Sequence, residues 1–296
     1  MRIKKYFLLI LMSIIFSSCA GGENVAIKVG GNTITIESFN KELDYMNNIM
    51  NKGNKAVDYL SEVKKNLVYD SVVSLDLAKH MNSVSKEEVD DYVRELSEKL
   101  GSEEDLQRSL EANKISRKEF MDSCEKAKAQ LKHYEIFASS VQMTADDLKK
   151  YFDSHKEDIY QYKFVDIVLQ TRGEAEGVEK ELKSDTDKEQ IINRYNQDLF
   201  DTTYGKITDF VNSSSADFIT DKIKGMKVGE TKIVRIDRDY HILQILEKNT
   251  DFEALKDSVK KMYIDEKYLK YINKLCVDYK VRVYDKNIEK NRQKKD

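Results

Sequence analysis

The sequence predicts an α+β protein: a helical domain carrying short strands from both ends of the chain, interrupted by a small α/β module. Three features of the pattern carry this reading. Two β-rich runs around Gly30-Gly31-Asn32 open the folded part, and capped helical periods follow from Glu37 to about Ser154. After Tyr162 strands return, before a last helical period from Asp251 to Tyr279 and a final β-rich run, Lys280-Val-Arg-Val-Tyr284.

The segment ahead of the fold reads as an address. Met1 to Cys19 has a basic start, an apolar run from Tyr6 to Phe16 and two serines before the cysteine. That run is too short for a bilayer span, which takes roughly 20 apolar residues, and it matches the core of a secretory signal. Ile15-Phe16-Ser17-Ser18-Cys19 resembles the lipobox of bacterial lipoproteins, with Phe16 where Leu is usual. The resemblance implies removal of residues 1–18, lipidation of Cys19 and a chain held to a membrane of the cell envelope, on its periplasmic or extracellular face. Stable anchoring takes more than one acyl chain, which a multiply acylated cysteine supplies.

Val25-Ala-Ile-Lys-Val-Gly-Gly-Asn-Thr-Ile-Thr-Ile36 has the alternation and turn residues of a β-hairpin. In the helical region, Ser85-Lys-Glu-Glu88 and Ser116-Arg-Lys-Glu119 are capping boxes; Ser102-Glu-Glu-Asp105 and Thr144-Ala-Asp-Asp147 are relatives with Asp in place of Glu. Apolar stripes follow the caps: Val89, Val93, Leu96 and Leu100 in one helix, Phe120, Cys124, Ala127 and Leu131 in another. Such spacings belong to a packed core.

Tyr162 to Leu169 alternates and then runs apolar, as a strand. Helical stretches follow at about 174–183 and 187–195, then Lys206–Val211, a turn-rich piece with Gly225 and Gly229, and strands at 231–236 and 240–246. The domain reading is therefore 1–18 signal, 19–158 helical domain, 159–250 α/β module, 251–288 returning helix and strand, and 289–296 a solvated basic tail.

Composition narrows the function classes. Removing residues 1–18 deletes Arg2, Lys4 and Lys5 and no acid, so the formal charge moves from −3 to −6. Apart from Lys290 to Lys295 the basic residues are dispersed, so the chain lacks the electrostatic footprint of nucleic-acid binding. Proline is absent, so no X-Pro bond can slow this chain's own folding. His80, His133 and His155 are scattered without the i, i+4 spacing of a helical zinc pair, so no metal or other cofactor is expected. Cys124 and Cys276 fall on apolar helical faces and read as buried thiols, with a disulfide permitted outside the cytoplasm.

The order of these elements resembles the exported parvulin-type foldases of the PrsA and SurA group. The likeness covers most of residues 25–158, through Val25–Phe39, Val84-Ser-Lys-Glu-Glu-Val-Asp90, Gly101-Ser-Glu-Glu-Asp-Leu106 and Met143-Thr-Ala-Asp-Asp-Leu-Lys-Lys-Tyr-Phe152. It implies that 159–250 is a parvulin-like peptidyl-prolyl isomerase module, and that Val281–Tyr284 pairs with the N-terminal hairpin.

The parvulin half is degenerate. Amide rotation has a barrier of roughly 18–20 kcal/mol, lowered without covalent chemistry by a dry apolar pocket and polar groups that stabilise the twisted amide. The family sets two histidines on adjacent strands. The first aligns with Val165-Asp166-Ile167-Val168-Leu169, where Asp166 replaces it; the second is kept as His241 in Asp239-Tyr-His-Ile242. Asp166 and His241 are thus the candidate catalytic pair, expected to hydrogen-bond if neighbours. Tyr204–Phe210 and Asp217–Glu230 resemble the rest of the site, which makes Phe210, Phe218, Ile223 and Met226 the candidate substrate-binding residues.

The expected function is a membrane-anchored extracytoplasmic chaperone whose isomerase activity is weak or absent. The alternatives are an active isomerase and a non-enzymatic envelope lipoprotein with one dedicated partner. Expected partners are unfolded exported polypeptides and, through lipidated Cys19, a membrane; a second copy of the chain is a further candidate.

Overall fold

The computed structural model describes residues 22, 24–50, 58–80, 83–113, 115–183, 187–195, 204–213, 218–236 and 238–292. The segment read as a signal, Cys19 and residues 293–296 lie outside the described residues. In chain order, the hairpin β1 (Val25–Val29) and β2 (Asn32–Thr35) leads into α1 (Ile36–Met50), α2 (Leu60–Lys79), α3 (Lys86–Leu100), α4 (Glu103–Ala112) and α5 (Arg117–Ser140). Next come α6 (Ala145–Ser154), β3 (Gln161–Leu169), α7 (Arg172–Lys183), α8 (Lys188–Tyr195), β4 (Tyr204–Ile207), β5 (Val211–Asn212), α9 (Phe218–Ile223), β6 (Thr231–Ile236) and β7 (Asp239–Asn249). The long α10 (Phe252–Asp278), β8 (Arg282–Val283) and α11 (Asp285–Arg292) complete the chain. Two compact units result: Gln142–Asp265 forms the sheet unit, and the described residues before and after it form the helical unit.

In the helical unit, β1 pairs antiparallel with both β2 and β8, in the order β2-β1-β8. Gly30 turns the hairpin at φ +58°, a conformation that costs glycine little, and its N–H reaches the Tyr279 carbonyl at 2.6 Å. The core joins both ends of the chain: Ile27, Val29 and Phe39 pack with Val68 and Val72 of α2, Ile272 of α10 and Val283 of β8. Each such side chain taken from water contributes about 1.5–3 kcal/mol. Val89, Val93, Leu106, Leu110 and Cys124 make a second cluster across α3, α4 and α5.

The helix starts follow the capping motifs. Ser85, Ser116 and Thr144 each complete a reciprocal capping box, while Ser102 caps α4 through the Asp105 N–H. The end of α10 is a Schellman motif, in which Lys280 N–H bonds Val277 O and Val281 N–H bonds Cys276 O. Lys280, at φ 51°, holds the left-handed position that glycine usually takes.

Past β8 the chain continues as α11 as far as Arg292, with Glu289 and Lys290 exposed on it. Ile288 is 1% exposed against the helical-unit core, and Asn287 Nδ2 donates to Val25 O at 2.8 Å, so one apolar anchor and one backbone acceptor hold α11 in place. Cys124 and Cys276 are free thiols in separate clusters, pushed up by burial to about 11 and about 12.

The sheet unit is antiparallel throughout, in the order β4-β3-β7-β6, with β5 also pairing β3. Lys206–Val211 spans the end of β4 and the start of β5, two short strands that both pair with β3.

Candidate functional site

Alternation along β3 sorts its side chains onto two faces. Val165, Ile167 and Leu169 join Ile242 under α7 and α8, with Ala175, Val178, Leu182 and Ile191. Tyr160, Tyr162 and Phe164 join Leu243 and Ile245 on the other face, covered by Ile223 and Met226. Tyr162 donates its hydroxyl to the Met226 carbonyl at 3.0 Å, and burial pushes that phenol up to about 12.

Asp166 shares the second face. Its strand partner is Leu243, and His241 sits opposite Val168, so the two polar residues are diagonal neighbours on adjacent strands. Asp166 is wholly buried and His241 is 8% exposed, with His241 Nδ1 2.9 Å from Asp166 Oδ1. A carboxylate inside an apolar sheet is costly unless paired. One of its oxygens is paired; Asp166 Oδ2 has no hydrogen-bond partner among the described residues. Thr220 Oγ1, buried on α9, has none there either.

The four apolar candidates scatter by environment. Ile223 is fully buried and Met226 is 5% exposed, both as part of the packed cluster. Phe210 is 41% exposed on the link between β4 and β5. Phe218 opens α9, but its side chain lies outside the described residues, as does Cys19.

A second polar centre, in the helical unit, escaped sequence reasoning. Asp76 of α2 is 5% exposed and accepts at Oδ2 from Tyr271 OH (2.7 Å) and His133 Nε2 (3.1 Å), and at Oδ1 from Tyr279 OH (3.1 Å). His133 Nδ1 is 2.8 Å from Tyr268 OH, which is 2.9 Å from Tyr69 OH. Burial pushes the Asp76 carboxyl up, but the hydrogen bonds from Tyr271, His133 and Tyr279 outweigh it and hold the group below the ordinary aspartate range. Burial pulls the His133 imidazole below its ordinary value, against the raising effect of Asp76. The His80 ring caps the end of α2 beside them, Nδ1 lying 2.8 Å from the Asp76 carbonyl oxygen. The only sequence signals were two tyrosines at i, i+3 and one histidine on a helical face. Among the described residues no cluster of ligating side chains suits a metal ion, and no helix is long and apolar enough to cross a membrane.

No protein-family model matches the chain. Its sequence is 22% identical over 259 residues to the foldase protein PrsA of Clostridium acetobutylicum, spanning 81% of this chain and 77% of that protein. The chain is thus similar to foldases of the PrsA/SurA type. Among solved structures, the chain is similar to one from work on two SurA-like chaperones of Campylobacter jejuni: identity 17%, coverage 88% of this chain and 98% of that one, TM-score 0.46. It is also similar to foldase protein PrsA of Lactococcus lactis, at 16% identity, coverage 88% and 94%, and TM-score 0.41.

Proposed function

We propose that this chain is an extracytoplasmic chaperone, anchored to a membrane through lipidated Cys19, that binds unfolded exported polypeptides and carries a parvulin-like module with weakened or absent isomerase activity. The domain reading is the one given above: residues 19–158 with 251–288 hold clients, and 159–250 is the parvulin-like module. The kinship to PrsA supports the chaperone reading, over 81% of the chain. One observation supports the weakened module. Asp166, aligned with the first parvulin histidine, is fully buried and tied to His241, while Ile223 and Met226 are closed into a core in place of an open proline pocket. The soluble mature chain should suppress aggregation of an unfolded exported protein at stoichiometric amounts; no protection would sink the proposal.

The Asp166–His241 bond also supports a second reading, in which the pair still stabilises a twisted prolyl amide. Protease-coupled turnover of an X-Pro peptide decides between them. A rate at background, unchanged in His241→Ala, leaves the chaperone alone; a clear rate lost in His241→Ala makes the chain an active isomerase.

A further inference from the structure

The helical unit holds a groove of about 560 Å³ where α1, α2 and α5 face one another. Leu67, Leu77, Val84 and Ala129 supply apolar surface, and Tyr45 stands at the α1 side. Ser38, Ser74, Ser83 and Ser123 add hydroxyls able to meet a peptide backbone. A volume of this order is usual for specific binding sites, and an apolar floor with a few polar groups is their ordinary chemistry.

The charges around it are unequal. Glu42, Glu119, Asp122 and Glu125 line the groove against Lys41 and Lys126 alone. The lysines neutralise little of this. Lys41–Glu119 is 3.5 Å with Lys41 75% exposed, and Lys126–Glu42 is 3.8 Å. Exposed pairs at such distances contribute little and exchange readily. Glu125 makes no ion pair among the described residues, and Asp122 pairs outside the groove, with Lys118. An acidic rim over an apolar floor complements a segment that is apolar and basic together.

We infer that this groove is a client-binding site selective for extended polypeptide segments whose apolar side chains are flanked by lysine or arginine. The inference rests on the chaperone reading and gives it a place and a specificity. Apolar burial supplies the affinity, and the rim supplies steering and selection, the usual division where charge surrounds an apolar contact.

The test uses the soluble mature chain and short labelled peptides with one shared apolar core and Lys, Ser or Glu flanks, with binding followed by fluorescence anisotropy. The Lys-flanked peptide should bind about tenfold more tightly than the Glu-flanked one, and high salt should shrink the gap, as for any exposed charge contact. The double variant Asp122→Lys with Glu125→Lys should abolish the preference. Glu95→Lys with Glu111→Lys, the same charge change on α3 and α4, should keep it. Equal affinities for Lys and Glu flanks overturn the inference, and so does an equal loss in both double variants, which would assign the effect to net charge. Circular dichroism confirms that each variant is folded. Aggregation suppression that survives without charge preference sinks this inference alone; absence of suppression sinks the chaperone reading.

Discussion

Each unit buries one aspartate against one histidine, and the two pairs are completed differently. In the helical unit both Asp76 oxygens accept hydrogen bonds, and both His133 nitrogens are engaged. In the sheet unit the Asp166–His241 bond stands almost alone, and Asp166 Oδ2 is unsatisfied among the described residues. A fully satisfied buried network stiffens what it joins, whereas a half-satisfied one is worse than apolar packing. The first pair reads as architecture, fastening α2, α5 and α10. The second carries a desolvation cost that its own unit does not repay, which suits a remnant of a site.

Removing Asp76 should separate the two most sharply. Asp76→Ala leaves the buried His133 and the half-buried Tyr271 and Tyr279 hydroxyls without their acceptor and should lower the stability of the helical unit by about 2–4 kcal/mol, the usual cost of losing several hydrogen bonds to a charged group. Urea denaturation followed by helical circular dichroism measures it, and a loss under about 1 kcal/mol would remove the distinction.

The next effect has the opposite sign. Replacing the sheet-unit pair by Asp166→Val with His241→Val should be neutral or stabilising by about 1–3 kcal/mol, since apolar substitution of an incompletely satisfied buried polar pair often is. Thermal unfolding reports it; a clear drop in the midpoint would show that the pair stabilises the sheet.

Acid tests the helical pair by linkage. The folded-state value of His133 lies below its unfolded one, so the unfolded chain takes up that proton first. The contribution is complete above the unfolded value of about 6.5 and is lost as pH falls from there through the depressed folded value. Asp76, also depressed, adds a second loss below about 3.8. Unfolding midpoints of the wild type should therefore fall between pH 7 and pH 5, and His133→Gln should flatten that limb.

The smallest expected change lies at the left-handed residue closing α10. Lys280→Gly should stabilise the helical unit by about 0.5–1 kcal/mol, because glycine accepts φ 51° without a Cβ clash. A shift in the urea midpoint at unchanged slope checks it.

What the sequence disclosed tracks how local each signal is. Ser85, Ser116 and Thr144 cap where their motifs stand, because a capping box closes within four residues. The α7 box, Thr171 with Glu174, went unread because Gly173 inside it looks like a turn. α11 was hidden since a single buried residue, Ile288, outweighs a run of charges. The neighbourhood of Asp166 and His241 came from aligning two strands by family resemblance, and the β3–β7 register brings the two within hydrogen-bond reach. The Asp76 network was illegible: His133 and Tyr271 lie 57 and 195 positions from Asp76, and a chain with 17 tyrosines does not mark which four will converge.

That network also has a grammar. An ionised Asp76 can only accept, so His133 must present its proton on Nε2 and leave Nδ1 bare. Tyr268 is then obliged to donate to His133, and Tyr69 to Tyr268. One charge on α2 thereby orders a row of protons through α5 to α10 and back to α2. The nitrogen shifts of a single imidazole would report, without any added probe, whether the entire junction is intact.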